Sequence, residues 1–99
     1  MNKKSIFITG AGRGIGKATA QLFSEKGWFV GLSDINQSEI EMLAQELGQD
    51  NCSTHKVDVR DISEIQKAIT DFSNLTEGKL NVLFNNCLLY TSPSPRDRG

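Results

Sequence analysis

The chain is poor in the residues that mark specialised folds. Of its 99 residues only 2 are cysteine, Cys52 and Cys87, and their spacing matches no metal-ligand pattern. This excludes a disulfide-stapled scaffold and a cysteine-based zinc module, and in a reducing compartment both side chains are free thiols. The single histidine, His55, has no serine or carboxylate at a spacing that suggests a catalytic base, so it is expected to pack on a strand face. Both prolines, Pro93 and Pro95, lie close to the end, so no fixed φ interrupts the chain before them. Neither sign of charge dominates: 11 basic and 12 acidic residues leave a net charge of −1, without the basic footprint of a nucleic-acid surface. No nucleic-acid partner is expected. Long hydrophobic runs are missing too. The run after Lys3-Lys4 is interrupted by Thr9-Gly10, too soon for a signal-peptide core or a membrane span, and the chain reads as cytoplasmic with no membrane partner. Its length allows one core, but not a complete two-halved nucleotide-binding fold.

What the sequence does have is glycine, concentrated in one place. Gly10, Gly12, Gly14 and Gly16 alternate through Thr9–Gly16, directly after the apolar run Ser5–Thr9 and at the start of a helical pattern. Glycines let the backbone turn sharply and approach a ligand with no Cβ in the way. The first N–H groups of the following helix lack intrahelical partners, so with the helix dipole they make a cradle for an anion. In such a cradle Gly10 makes the turn, Gly14 admits a phosphate, and Gly16 lets the helix pack closely on the strand.

The rest of the chain alternates in period. Ser5–Thr9 reads as a buried strand. From Gly14 a helix follows, with Ile15, Ala18, Leu22 and Phe23 on its apolar face and Gly27 as a left-handed C-terminal cap. Trp28–Asp34 reads as a second strand. Asn36 and Glu39 form a capping-box-like start for a helix carrying Ile40, Leu43, Ala44 and Leu47, stopped by Gly48. Ser53–Val59 alternates in polarity, as an edge strand does, and Asp61 with Glu64 repeats the capping pattern before Ile65, Ala68, Ile69 and Phe72. Leu80–Phe84 is the fourth strand and leads into Asn85-Asn86. Four strands alternating with three helices require parallel pairing through right-handed crossovers. The expected fold is α/β, a partial doubly wound (Rossmann) sheet in the order 3-2-1-4 with three helices.

The glycine turn does not follow G-x-G-x-x-G, whose third place falls on Ile15; it reads T-G-x-x-x-G-x-G. Together with Asp34, Asp58-Val59 and Asn85-Asn86, in this order on these elements, it resembles the short-chain dehydrogenase/reductase family over residues 5–86. The resemblance implies an NAD(P)-dependent oxidoreductase that moves hydride between the cofactor and an alcohol or carbonyl substrate, in a parent that is a homo-oligomer. The cofactor-binding set it implies is Thr9, Gly10, Gly12, Arg13, Gly14, Ile15, Gly16, Asp34, Asp58, Val59, Asn85 and Asn86, with no metal. Asp34 would accept from the adenosine ribose hydroxyls and repel a 2′-phosphate. At ~4 Å and an effective dielectric of about 20, each pair of like unit charges costs roughly 4 kcal/mol. Asp34 thus favours NAD over NADP. Arg13 points the other way, since a basic residue before the second motif glycine accompanies NADP in relatives. Asp58 would face the adenine amine, or else merely form a turn. A nucleotide-sensing module without catalysis is the alternative function.

The family's N-N-A-G pattern breaks off here as Asn85-Asn86-Cys87-Leu88. The stretch Cys87–Gly99, rich in Ser, Pro and Arg, reads as a disordered, non-native tail. Its residues 87–97 resemble the in-frame translation of a sequencing-adapter sequence. The domain division expected is therefore 1–86 and 87–99. The Ser and Tyr-x-x-x-Lys on which catalysis in the family depends are not found; Tyr90 has Ser94, not Lys, four places on. The 99-residue chain is expected to carry no catalytic residue and to be inactive by itself.

Overall fold

The computed structural model describes residues 3–78 and 80–85. Four strands, β1 (Ser5–Thr9), β2 (Phe29–Asp34), β3 (Cys52–Lys56) and β4 (Val82–Asn85), form one sheet in the order β3-β2-β1-β4. All three pairings are parallel, which is the expected topology. Helices α1 (Gly14–Glu25), α2 (Gln37–Leu47) and α3 (Ile62–Leu75) make the crossovers. Asn86 and the tail from Cys87 lie outside the described residues.

Strand alternation divides the core into two layers. Ile6, Ile8, Val30 and Leu32 point to one face of the sheet and meet Ala20, Ile40, Leu43 and Ala44 of α1 and α2. Phe7 and Phe29 point to the other and meet Ala68 and Phe72 of α3, with Val57. Each end of α2 is closed by a local signal legible in the sequence. The Asn36 side chain accepts from the N–H of Glu39, and Gly48 sits at φ +96°.

Four details differ from the sequence reading. On α1 the buried face is Gly16 and Ala20 with Phe23 half-buried, while Ile15 and Leu22 are 61% and 51% exposed and Ala18 is also exposed. The helix approaches the sheet through its smallest residues, so size, rather than hydropathy alone, sets its rotation. Strand β3 ends at Lys56. One further ladder bond runs from Val57 N to Asp34 O, then Asp58 N is captured by the Glu64 carboxylate at 3.0 Å and the chain turns away. Gln49–Asn51 forms a single 3₁₀ turn ahead of β3. Strand β4 begins at Val82, two residues late, because the Asn81 side-chain oxygen takes the Ser5 N–H at 2.9 Å in place of a regular ladder bond.

Candidate cofactor-binding site

The glycine turn joins the C-terminal end of β1 to α1 at the same end of the sheet as the ends of β2 and β4. Gly10 reverses the chain at φ +66°, a conformation that costs a residue with a Cβ. Ala11 N then donates to Ser33 O at 2.9 Å and fastens the turn to β2. A Cβ on Gly16 would collide with the carbonyl oxygen of Gly10, so only glycine lets α1 start this close to the strand. Gly14 is at φ +63° with open space on the side where a Cβ would point.

The three helix starts are not alike. Helix α2 is capped by Asn36 and has Glu39 in its first turn; α3 is capped by Asp61, which accepts from Ser63 N and Glu64 N, and has Glu64. Helix α1 begins after Arg13, which makes no side-chain cap, and its first turn holds no acidic residue. Its N-terminal donors and its dipole therefore face the turn with no side-chain cap and no acid in the helix's own first turn. That is the donor set a phosphate requires.

Beside this cradle stands Asp34. Its Oδ2 accepts from Gly12 N at 2.9 Å and its Oδ1 from Asn36 N at 3.1 Å. A carboxylate has about four acceptor positions, so hydroxyl donors can still be taken. Glu39 reaches the same place, which the sequence did not reveal. There it reads as the return half of a capping box, yet Asn36 N already donates to Asp34, and the Glu39 side chain instead turns toward the glycine loop. A Cβ built on Gly12 would lie 2.8 Å from Asp34 Oδ2 and 2.9 Å from Glu39 Oε1. The only signal available beforehand was an acid on the first turn after the β2 end. Arg13 is 81% exposed, with its Nε 3.9 Å from Glu39 Oε1.

At the other side of β1, Thr9 Oγ1 donates to Asn85 Oδ1 at 2.9 Å, so the strand end before the glycines and the end of β4 are tied together. Ile15 is exposed next to the turn. Asp58 and Val59 lie in the loop after β3 rather than on the strand, just past Val57, whose N–H donates to Asp34 O at 3.1 Å. The Arg60 guanidinium grips both Asp58 oxygens, at 3.0 and 2.8 Å, and with the Arg60 N–H holds the carboxyl down at about 2. Both its oxygens are engaged, whereas those of Asp34 meet only single backbone donors. Asn86 lies outside the described residues.

The remaining polar candidates are packing residues. Ser53 and His55 share a strand face, and their side chains meet at 2.8 Å, a pairing the sequence reading did not anticipate. The ring of His55 rests against Phe7 and Phe72. Burial pushes its pKa down, opposed by the negative charge of Asp71. Cys52 is buried, which raises its thiol pKa. Among the described residues no group of three His, Cys, Asp or Glu is placed to hold a metal, and no helix is long and apolar enough to cross a membrane.

Comparison with known proteins agrees with this fold. Oxidoreductase UcpA of Salmonella typhimurium is 42% identical over 85 residues, covering 84% of this chain and 32% of that protein. Among solved structures, 3-ketoacyl-(acyl-carrier-protein) reductase from Brucella melitensis complexed with NADH matches with a TM-score of 0.74 at 29% identity. That match covers 81% of this chain and 32% of the other. The alcohol dehydrogenase from the archaeon Thermococcus sibiricus, complexed with 5-hydroxy-NADP, matches with a TM-score of 0.75 at 27% identity, over 83% and 36%. The chain spans about a third of the length of such relatives. The model of the short chain dehydrogenase family matches residues 4–95, and with the sheet order and glycine turn already described, the chain belongs to that family.

Proposed function

We propose that residues 1–86 form the adenosine and pyrophosphate side of an NAD site in an NAD(P)-dependent oxidoreductase acting on an alcohol or carbonyl compound, with 87–99 outside the domain. The observation that carries this reading is the uncapped start of α1, lined by Gly10–Gly16 and set beside Asp34. The residues suit the cofactor: the α1 N–H groups take its pyrophosphate, the lack of a Cβ at Gly12 and Gly16 keeps the loop near β2, and Asp34 accepts from ribose hydroxyls. The Thr9–Asn85 bond holds the two strand ends beneath the site together. When bound, the nicotinamide supplies hydride chemistry. This chain's own residues bind and orient it; the acid-base groups of the reaction are not among them, so no turnover is expected from the 99 residues alone. Asp34 favours a free 2′-hydroxyl and hence NAD. The parent is a cytoplasmic homo-oligomer in this reading.

The test is an amide NMR titration of the purified chain with NAD. Shifts are expected at residues 10–16 and at Asp34, with affinity weaker than micromolar, and Asp34→Asn should lower the affinity severalfold. Unmoved amides in the glycine turn at saturating NAD would sink the reading.

A further inference from the structure

Two carboxylates, not one, converge on the glycine turn, and one of them is incompletely paired. Glu39 Oε1 is buried and has no hydrogen-bond partner. Its neighbour Arg13 Nε, at 3.9 Å, is within ion-pair range but beyond a hydrogen bond. A buried acceptor without a donor is costly to keep, and this one lies with Asp34 Oδ2 within 3 Å of the same point beside Gly12. A dinucleotide whose ribose binds Asp34 brings its 2′ substituent beside this second carboxylate. A 2′-phosphate brings acceptors and negative charge, which neither carboxylate satisfies. The cation best placed to offset that charge, Arg13, is drawn toward Glu39 along its flexible stem.

Resting on the reading above, we infer that Glu39 is a specificity-determining residue. It engages Arg13 and adds a second negative charge beside Asp34, so the site discriminates against dinucleotides bearing a 2′-phosphate. The effect of Arg13 on cofactor choice is then conditional. The same arginine favours a 2′-phosphate when released from Glu39 and is neutralised when held by it.

NAD and NADP differ only in the 2′-phosphate, so the test is their affinity ratio for the 99-residue chain and its variants, measured by the same amide titration. Glu39→Gln keeps the shape and removes the charge. It should improve NADP relative to NAD by about tenfold, the size of coupling common between contacting residues. In an Arg13→Ala background the gain should shrink to about threefold or less. Glu39→Ala, checked for an unchanged circular dichroism spectrum, should shift the ratio the same way. An unchanged ratio in Glu39→Gln, or an equal gain with and without Arg13, overturns the inference while leaving the cofactor reading intact. Failure of the unmodified chain to bind NAD overturns both.

Discussion

The two faces of the sheet are built from different materials. On the α1/α2 face, aliphatic strand residues meet Ala11, Gly16 and Ala20, which let backbone approach backbone. On the α3 face the filling is aromatic: Phe72 lies 5.4 Å from Phe7 and 5.7 Å from Phe29, ring centre to ring centre, with His55 at 6.0 Å. Even the glycines serve different ends. Gly16 on the first face admits the carbonyl of Gly10, while Gly31 on the second leaves room for the Phe7 and Phe72 rings, 2.7 Å from where its Cβ would be. Close approach brings the start of a helix against a strand end and creates an anion cradle. Large rings hold α3 further off and supply burial in place of close backbone approach. The difference teaches that the candidate site lies where one helix, α1, meets the sheet through small residues.

The strongest way to break this comparison is to empty the aromatic face. Phe72 is fully buried, and Phe72→Ala should cost about 3–5 kcal/mol in urea unfolding, much of what a small domain has. If the cost is below about 1 kcal/mol, the aromatic layer is not a main source of stability. A smaller effect is expected from Gly16→Ala on the other face, about 1–3 kcal/mol, because the added methyl meets backbone that cannot rotate aside. It should also abolish the NAD-dependent amide shifts in the turn, since α1 must move outward. Retained shifts would show that close approach is not what makes the cradle.

The smallest effect sharpens the aromatic side. Burial lowers the pKa of His55, so the folded chain binds its proton less readily than the unfolded chain does. The stability due to neutral His55 is present above the ordinary histidine pKa of about 6.5 and is lost as pH falls from there through the lowered folded value. Unfolding curves between neutral and mildly acid pH should therefore show decreasing stability, and His55→Phe should flatten the slope. An NMR titration placing the His55 pKa above its ordinary value would reverse the sign and refute the point.

Much of this was legible in the chain. Element types and the order 3-2-1-4 follow from alternation of period with caps at Asn36, Asp61 and Gly48, which are local signals read over a few residues. The rotation of α1 was not legible. Its apolar arc of Ile15, Ala18 and Leu22 is what hydropathy selects, yet Gly16 and Ala20 make the contact, because van der Waals fit rewards closeness as well as apolar area. The β3 end was misplaced for a similar reason: Val57 and Val59 continue the strand pattern, but Glu64, brought back by α3, competes for the Asp58 N–H.

The sequence alone determined the parallel α/β architecture, the glycine turn and the acid at the end of β2. Each depends on backbone freedom, period or capping between near neighbours. Tertiary structure decided which charges meet. It set Glu39 beside Asp34 and Arg13 at the glycine turn, and joined Thr9 to Asn85 across 76 positions of chain. Such pairings are fixed by distance and by competition among donors, and neither is settled until the helices have closed on the sheet.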